Sequence, residues 1–241
     1  MLLTYIFHSA FSLECENCTL IFDFWKDVET PAYNKGFVQQ HILERKKPLY
    51  VFASHSHKDH FNPEILEWKK QRPEITYIFG KDILEENLAL REDALFLEKG
   101  EGFNNSLLSV KAFGSTDSGV SFLVFLEGKK IFHAGDLNNW HWSDESSIEE
   151  SKEAELGYLK ELADLKKEVS AIDLVMFPVD NRMGTDYDRG AKQFLDAISV
   201  KTFAPMHFGN QYDAASAFRE TAEKKGVHFL SITHKGIQFK I

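Results

Sequence analysis

Between residues 52 and 61 the chain reads FASHSHKDHF, which puts His55, His57, Asp59 and His60 within six positions. Imidazole and carboxylate together are the ligand set of borderline divalent metals such as zinc, manganese and iron. A strand delivers side chains to alternate faces, so where it gives way to a loop His55 and His57 can point the same way and clamp one ion. Asp59 and His60 are adjacent, and at the start of a helix they can reach a second ion close to the first. A merely polar loop would leave three histidines unexplained. The remaining ligands must come from elsewhere. Asp136 follows the Ala-Gly step of IFHAGD, where a carboxylate can bridge two ions, and His207 closes the apolar run of APMHFG. A lone Asp or His at a strand end is more often a hydrogen-bonded cap, but the combination in this order points to a metal centre.

The elements that must position these residues are legible as apolar runs. LTYIF, FSLE and TLIFDFW are short, β-branched and aromatic, and predict adjacent antiparallel strands, with ECENC (Cys15, Cys18) as a hairpin turn rather than a zinc or redox pair. PLYVFAS is a fully apolar strand leading into the histidine stretch. NPEILEWKKQRP predicts a helix with Asn62 as N-cap and Pro63 in its first turn. FVQQHILERK, DILEENLAL, DRGAKQFLDAI and YDAASAFRETAEKKG also read as helices, and the stretch after LNNWHW as a long amphipathic one. ITYIFG, ALFLE, SLLSVKAFG, GVSFLVFLEG, KKIFHAGD, AIDLVMFPV, KTFAPMHF, HFLSI and GIQFK read as strands.

No composition break, repeat or low-complexity linker divides the 241 residues, so one domain spanning 1–241 is expected. No window is apolar enough for a membrane helix, and the opening MLLTYIFHSAF lacks a basic region and reads as a strand, which favours a cytoplasmic address. With a net charge of −9 and no basic stripe, nucleic-acid binding is disfavoured and a small-molecule substrate is expected; assembly into a homo-oligomer is left open.

With these motifs together, the chain resembles the metallo-β-lactamase fold hydrolases, and its FHSAF start with His8 is similar to their lactonase-like cytoplasmic branch. HSHKDH matches the superfamily's His-x-His-x-Asp-His motif, HAGD its bridging aspartate and PMHFG its final histidine. The resemblance implies an α/β fold, a four-layer αββα sandwich with the metals at one edge. It also implies that Asp23 of LIFDFW sits just outside the metals and orients the histidine loop. The family's third histidine for the first metal is missing: its place falls in AFGSTDSGVSF, where Asp117 is the best substitute by type, the alternative being a turn cap. His133 and His141 compete for that role. The weakened first site would leave Asp59, His60, Asp136 and His207 to hold the tighter ion.

The expected cofactor is zinc, as one or two ions, with manganese or iron as further candidates. The expected reaction is attack of a metal-held hydroxide on a small, anionic ester, lactone or phosphate ester, with Asp59 holding the nucleophile in line and Asp136 bridging. Arg182 is a candidate anchor for the substrate's anion, against the alternative of a salt bridge to a nearby Asp. Trp140 and His141, with Trp142, are candidates for a substrate-facing lid, against the alternative of core packing. His41, His228 and His234 read as surface residues without partners. The competing function is a non-catalytic metal-binding or sensing protein that kept the fold.

Overall fold

The computed structural model describes residues 1–241. Two seven-stranded sheets form its centre. In the first, β1 (Leu2–Phe7), β2 (Ala10–Glu14) and β3 (Thr19–Phe22) run antiparallel, and β4 (Leu49–Ala53), β5 (Thr76–Gly80) and β6 (Leu95–Leu97) extend it in parallel. The second begins with β7 (Gly102–Asn104), β8 (Leu108–Phe113), β9 (Ser121–Leu126) and β10 (Lys129–His133), all antiparallel. It continues in parallel with β11 (Ala171–Pro178), β12 (Ser199–Met206) and β13 (His228–Phe229). β14 (Gln238–Lys240) returns to pair with β1.

The runs that look apolar throughout are covered on both faces. In β4, Tyr50 and Phe52 enter the core shared by the two sheets, while Leu49, Val51 and Ala53 face a second core against the outer helices. Phe52 meets Phe122 of β9 edge to face at 5.2 Å, which ties sheet to sheet. Burying each such ring stabilises the fold by about 1.5–3 kcal/mol. On the far side, the helix Ile148–Glu168 packs Tyr158, Leu162 and Leu165 against the second sheet. It starts at a capping box in which Ser147 Oγ accepts from Glu150 N–H and Glu150 Oε2 accepts from Ser147 N–H. The result is the αββα arrangement that the resemblance implies.

Several helices are shorter than their sequence period suggests. FVQQHILERK forms only a five-residue π-helix, Val38–Ile42, and DILEENLAL only Lys81–Glu85. The helix after Asn62 spans Glu64–Glu67 and tightens into a 3-10 turn, with Asn62 Oδ1 accepting from Glu64 N–H. YDAASAFRETAEKKG splits at Phe218 into Tyr212–Ala217 and Arg219–Lys224, and only His228–Phe229 of HFLSI pairs as strand. Each of these helical segments buries one or two side chains, too few to support further turns. Cys15 and Cys18 close the hairpin, Cys15 N–H donating to Cys18 O, with both thiols free and buried. His41 is not partnerless: its Nε2 lies 3.1 Å from Glu14 Oε1, whereas His228 and His234 are exposed. No helix is long and apolar enough to cross a membrane.

Strand ends supply the candidate centre. The segments that leave β3, β4, β10, β11 and β12, with the β1–β2 and β8–β9 turns, meet at one end of the sandwich and carry its ligand-type side chains.

Candidate metal centre

From the first sheet, β3 ends in Asp23, whose buried carboxylate faces the start of the loop after β4. Asp23 Oδ1 accepts from the Ser54 N–H at 2.7 Å; Oδ2 accepts from the Ser54 hydroxyl at 2.6 Å and from His60 Nδ1–H at 2.7 Å. Ser54 Oγ, its proton spent on Asp23, accepts in turn from His55 Nδ1–H at 2.9 Å. One carboxylate therefore sets the tautomer of two histidines and turns both Nε2 atoms inward. Burial pushes the Asp23 carboxyl up, but His133 and the His60 hydrogen bond outweigh it and hold it well below the usual carboxylate range. Burial disfavours a proton on His60, yet Asp136 and Asp23 reverse this and raise it to about 9. Burial and the neighbouring His60 pull His55 down to about 4.

The second sheet repeats the device. β11 runs into Asp180, beside β12, which runs into His207. Asp180 Oδ2 accepts from His207 Nδ1–H at 3.0 Å, and Asp180 is gripped by the Arg182 fork through Nε at 2.9 and 3.0 Å and Nη2 at 2.5 Å. His207 Nε2 is left facing the centre.

Asp136 stands between the two halves. Its Oδ1 is 3.2 Å from His60 Nε2 and 3.4 Å from His207 Nε2, while Oδ2 is 3.6 Å from His55 Nε2. Around it the donors fall into two groups, each with ligand atoms within 4.8 Å of one another: His55, His57, Asp117 and Asp136; and His8, Asp59, His60 and His207. Asp117 Oδ2 lies 3.3 Å from His57 Nδ1, both half-exposed. Of the residues expected in the second group, Asp59, His60 and His207 fall together there and Asp136 reaches the two histidines through Oδ1. Asp136 itself sits with the first group, and His8 joins the second, its Nε2 3.2 Å from Asp59 Oδ2 and its ring 4.2 Å from the His207 ring.

Two glycines permit this closeness. Gly119 (φ +63°) and Gly135 (φ +53°) both abut Ser54, and a β-carbon at Gly119 would collide with the Ser54 carbonyl and the His55 side chain. Val120 N–H donates to that carbonyl at 3.0 Å, pinning the Asp117 loop to the histidine loop. Three non-glycine residues here, His8, Asp23 and His207, also have left-handed backbone, at φ 59°, 44° and 65°. Such strain clusters at sites where the surroundings over-determine geometry.

The donors suit a divalent cation. His60 Nε2, Asp136 Oδ1 and His8 Nδ1 are buried without a hydrogen-bond partner. Leaving a buried polar atom unpaired costs about 1–3 kcal/mol, and a cation at this point would satisfy several at once.

A family model described as a beta-lactamase superfamily domain matches residues 2–207. The chain belongs to the β-lactamase superfamily. A UPF0173 metal-dependent hydrolase from Desulforamulus reducens is 24% identical over the full length of both chains. Among solved structures, the metallo hydrolase Igni18 from Ignicoccus hospitalis superposes with a TM-score of 0.69 at 17% identity, covering 100% of this chain and 98% of its own. CmlA, a diiron β-hydroxylase from Streptomyces venezuelae, gives 0.68 at 13% identity over 100% of this chain and 54% of its own. The protein is a metal-dependent hydrolase of the metallo-β-lactamase superfamily.

Beside the centre of this hydrolase lies a cavity of about 390 Å3, walled by Asp117, Asp136, Trp140, Trp142, Arg182 and His207 among others. Trp140 lines it, its Nε1–H donating to the Asp136 carbonyl at 2.8 Å. His141 does not, and its expected substrate-facing place is corrected. Its ring is buried, Nδ1 accepting from Ser143 N–H and Nε2 donating to Asp186 O, so both nitrogens serve the backbone. The same holds for His133: Nδ1 accepts from Gly135 N–H, Nε2–H donates to Ser9 O and the ring stacks on Phe22, so neither histidine stands in the place of the missing one. Arg182 does line the cavity, but its fork is spent on Asp180, the salt bridge that was the alternative.

Two residues of the centre are not singled out as ligands or positioning groups by sequence patterns. Asp180 shows there only as part of a loop, although it follows an apolar strand just as Asp23 does. His8 shows only as a family mark, although a histidine inside an apolar hairpin is itself a signal.

Proposed function

We propose that this end of the sandwich binds two divalent cations and that the chain, as one catalytic domain, hydrolyses a small anionic ester, lactone or phosphate ester. The observation that carries the reading is that buried atoms without a hydrogen-bond partner, His60 Nε2 and Asp136 Oδ1, face each other at 3.2 Å where two donor groups meet. His55, His57 and Asp117 would hold one ion, His8, Asp59, His60 and His207 the other, with Asp136 between them. The imidazole-rich second group suits zinc; the first, with an oxygen donor where an imidazole is expected, leans towards manganese or iron. A divalent cation supplies Lewis acidity, lowering the pKa of water and drawing charge from the oxygen under attack. The chain's own residues do the rest. Asp59 is one-third exposed, with Oδ2 3.2 Å from His8 Nε2, and its carboxylate would accept a hydrogen bond from the attacking water and keep it in line. Asp23 and Asp180 keep a proton on Nδ1 of His60 and His207, so that Nε2 stays available. Trp140 and Trp142 shield one side from bulk water.

The test is elemental analysis of the purified protein with a screen of phosphodiesters, phosphomonoesters and lactones, with and without chelator. His55→Ala, His60→Ala and His207→Ala should each lose metal and activity while keeping the fold. A chain that retains no transition metal and gains no thermal stability from added zinc or manganese would instead be a non-catalytic protein that kept the fold.

A further inference from the structure

Apart from the proposed cations, the one positive side chain lining the cavity beside the centre is Arg182, whose Nε and Nη2 are paired with Asp180. We infer that a second cavity, on the His8 side of the metal centre, binds an organic anion through Lys26 and Lys58, with the anion's apolar body against Trp25 and Phe61. The inference deepens the hydrolase reading and rests on it only in taking this anion to be the substrate's.

The cavity is about 500 Å3, lined by Trp25, Lys26, Lys58, Phe61, Pro63 and Leu88 among others. It adjoins the metal centre along the chain and in space. Lys58 stands between His57 and Asp59, and the Trp25 indole lies edge-on to the His8 ring at 5.6 Å. Trp25 stacks on Phe7 at 5.2 Å, and Lys235 Nζ sits over that Phe7 ring at 3.8 Å. Lys26 and Lys58 thus line the cavity with Trp25, and Lys235 lies behind that indole, over Phe7. None of Lys26, Lys58 and Lys235 forms an ion pair, a state they share with eleven of the chain's other nineteen lysines. Burial and the neighbouring Lys26 push the Lys235 ammonium below its usual range.

Two of the nearby acids are otherwise engaged, while Glu29 and Glu64 share a smaller adjoining cavity with Lys26 and Trp25. Asp27 accepts from the N–H groups of Val28, Val38 and Gln39, and Glu86 from the Ser56 hydroxyl. In a chain of net charge −9, a cavity whose charged lining is Lys26 and Lys58 beside an apolar wall is complementary to an amphipathic anion. Lysine supplies a mobile point charge, which suits a carboxylate or a phosphate-type group equally.

The probes are benzylphosphonate and phenylacetate, which distinguish a phosphate-type from a carboxylate headgroup, with benzyl alcohol as the neutral control. Binding is measured by calorimetry on the full chain, both as purified and after chelation, so that failure of the lysine site and failure of the metal reading separate. At least one anion should bind the chelated protein and weaken with rising salt. The Lys26→Ala/Lys58→Ala pair should lower that affinity roughly tenfold, as expected for two partly exposed charges, and leave metal content unchanged. Benzyl alcohol should bind weakly and equally to both proteins. Anion binding that the lysine pair leaves unchanged, that is lost only with Arg182→Ala, or that is absent from the chelated protein would overturn the inference.

Discussion

Asp23→Asn probes how far one buried carboxylate organises the centre. Asp23 receives three hydrogen bonds: Ser54 N–H on Oδ1, and the Ser54 hydroxyl and His60 Nδ1–H together on Oδ2. An asparagine has one oxygen to offer. If its amide nitrogen takes the Oδ2 place, two donors face a donor; if it takes the Oδ1 place, only the Ser54 N–H does. The second orientation wins, so one bond is lost outright, at about 1–3 kcal/mol, while the two that remain lose their charge assistance. For a chain of this length that is a melting-temperature drop of roughly 2–12 °C. The weaker hold on His60 Nδ1–H frees its tautomer, and outer partners of this kind typically change metal affinity about 10–100-fold. The assays are thermal unfolding of the chelated protein and competitive metal titration, with Asp23→Ala as the harsher comparison. An Asp23→Asn protein that melts and titrates like the parent would refute the reasoning, since it would mean that His60 is oriented by packing alone.

Asp117→Ala should abolish the weaker of two steps in a calorimetric metal titration and leave the stronger; a single unchanged isotherm would remove Asp117 from the first group. Gly119→Ala places a β-carbon against the Ser54 carbonyl in a left-handed backbone, and should cost about 1–3 kcal/mol of stability together with metal affinity, measured by denaturant unfolding and titration. Metal uptake should also depend on pH. His60 is raised to about 9 in the metal-free chain, so below that pH an ion must displace its proton, and affinity should climb as pH rises towards 9. His55, pulled down to about 4, should add nothing near neutrality. Calorimetry at pH 7 in buffers of different ionisation enthalpy should register about one proton released from this His60 site; no release would contradict it.

The residues legible from sequence are those that end apolar strands. The loop that carries His55, His57, Asp59 and His60, and the single residues Asp136 and His207, each follow a hydrophobic run with ligand-type side chains, and the structure brings them together. The strands themselves are legible because burial on both faces leaves little choice of residue. Asp180 obeys the same rule, but its partner, His207, is distant in sequence and nothing local links the two. His8 is hidden for a different reason: its ring reaches the centre through a left-handed backbone that no local pattern announces. His141 misleads because Trp-His-Trp in a loop resembles a lid, whereas the backbone bonds to its ring turn it inward. The short helices look longer in sequence because a helical period can continue past the point where anything remains to pack against.

The matching pairs, Asp23 with His60 and Asp180 with His207, have a consequence for how the enzyme comes into being. Each sheet carries its own oriented histidine but neither carries a complete cage, and Asp136 joins them only when the two layers have docked. Tight capture of an ion at the proposed centre would therefore act as a coincidence detector for the finished sandwich. A chain with one half misassembled would be chemically silent, so a partly folded population should add no background turnover, and tightly held metal would count correctly folded molecules one by one.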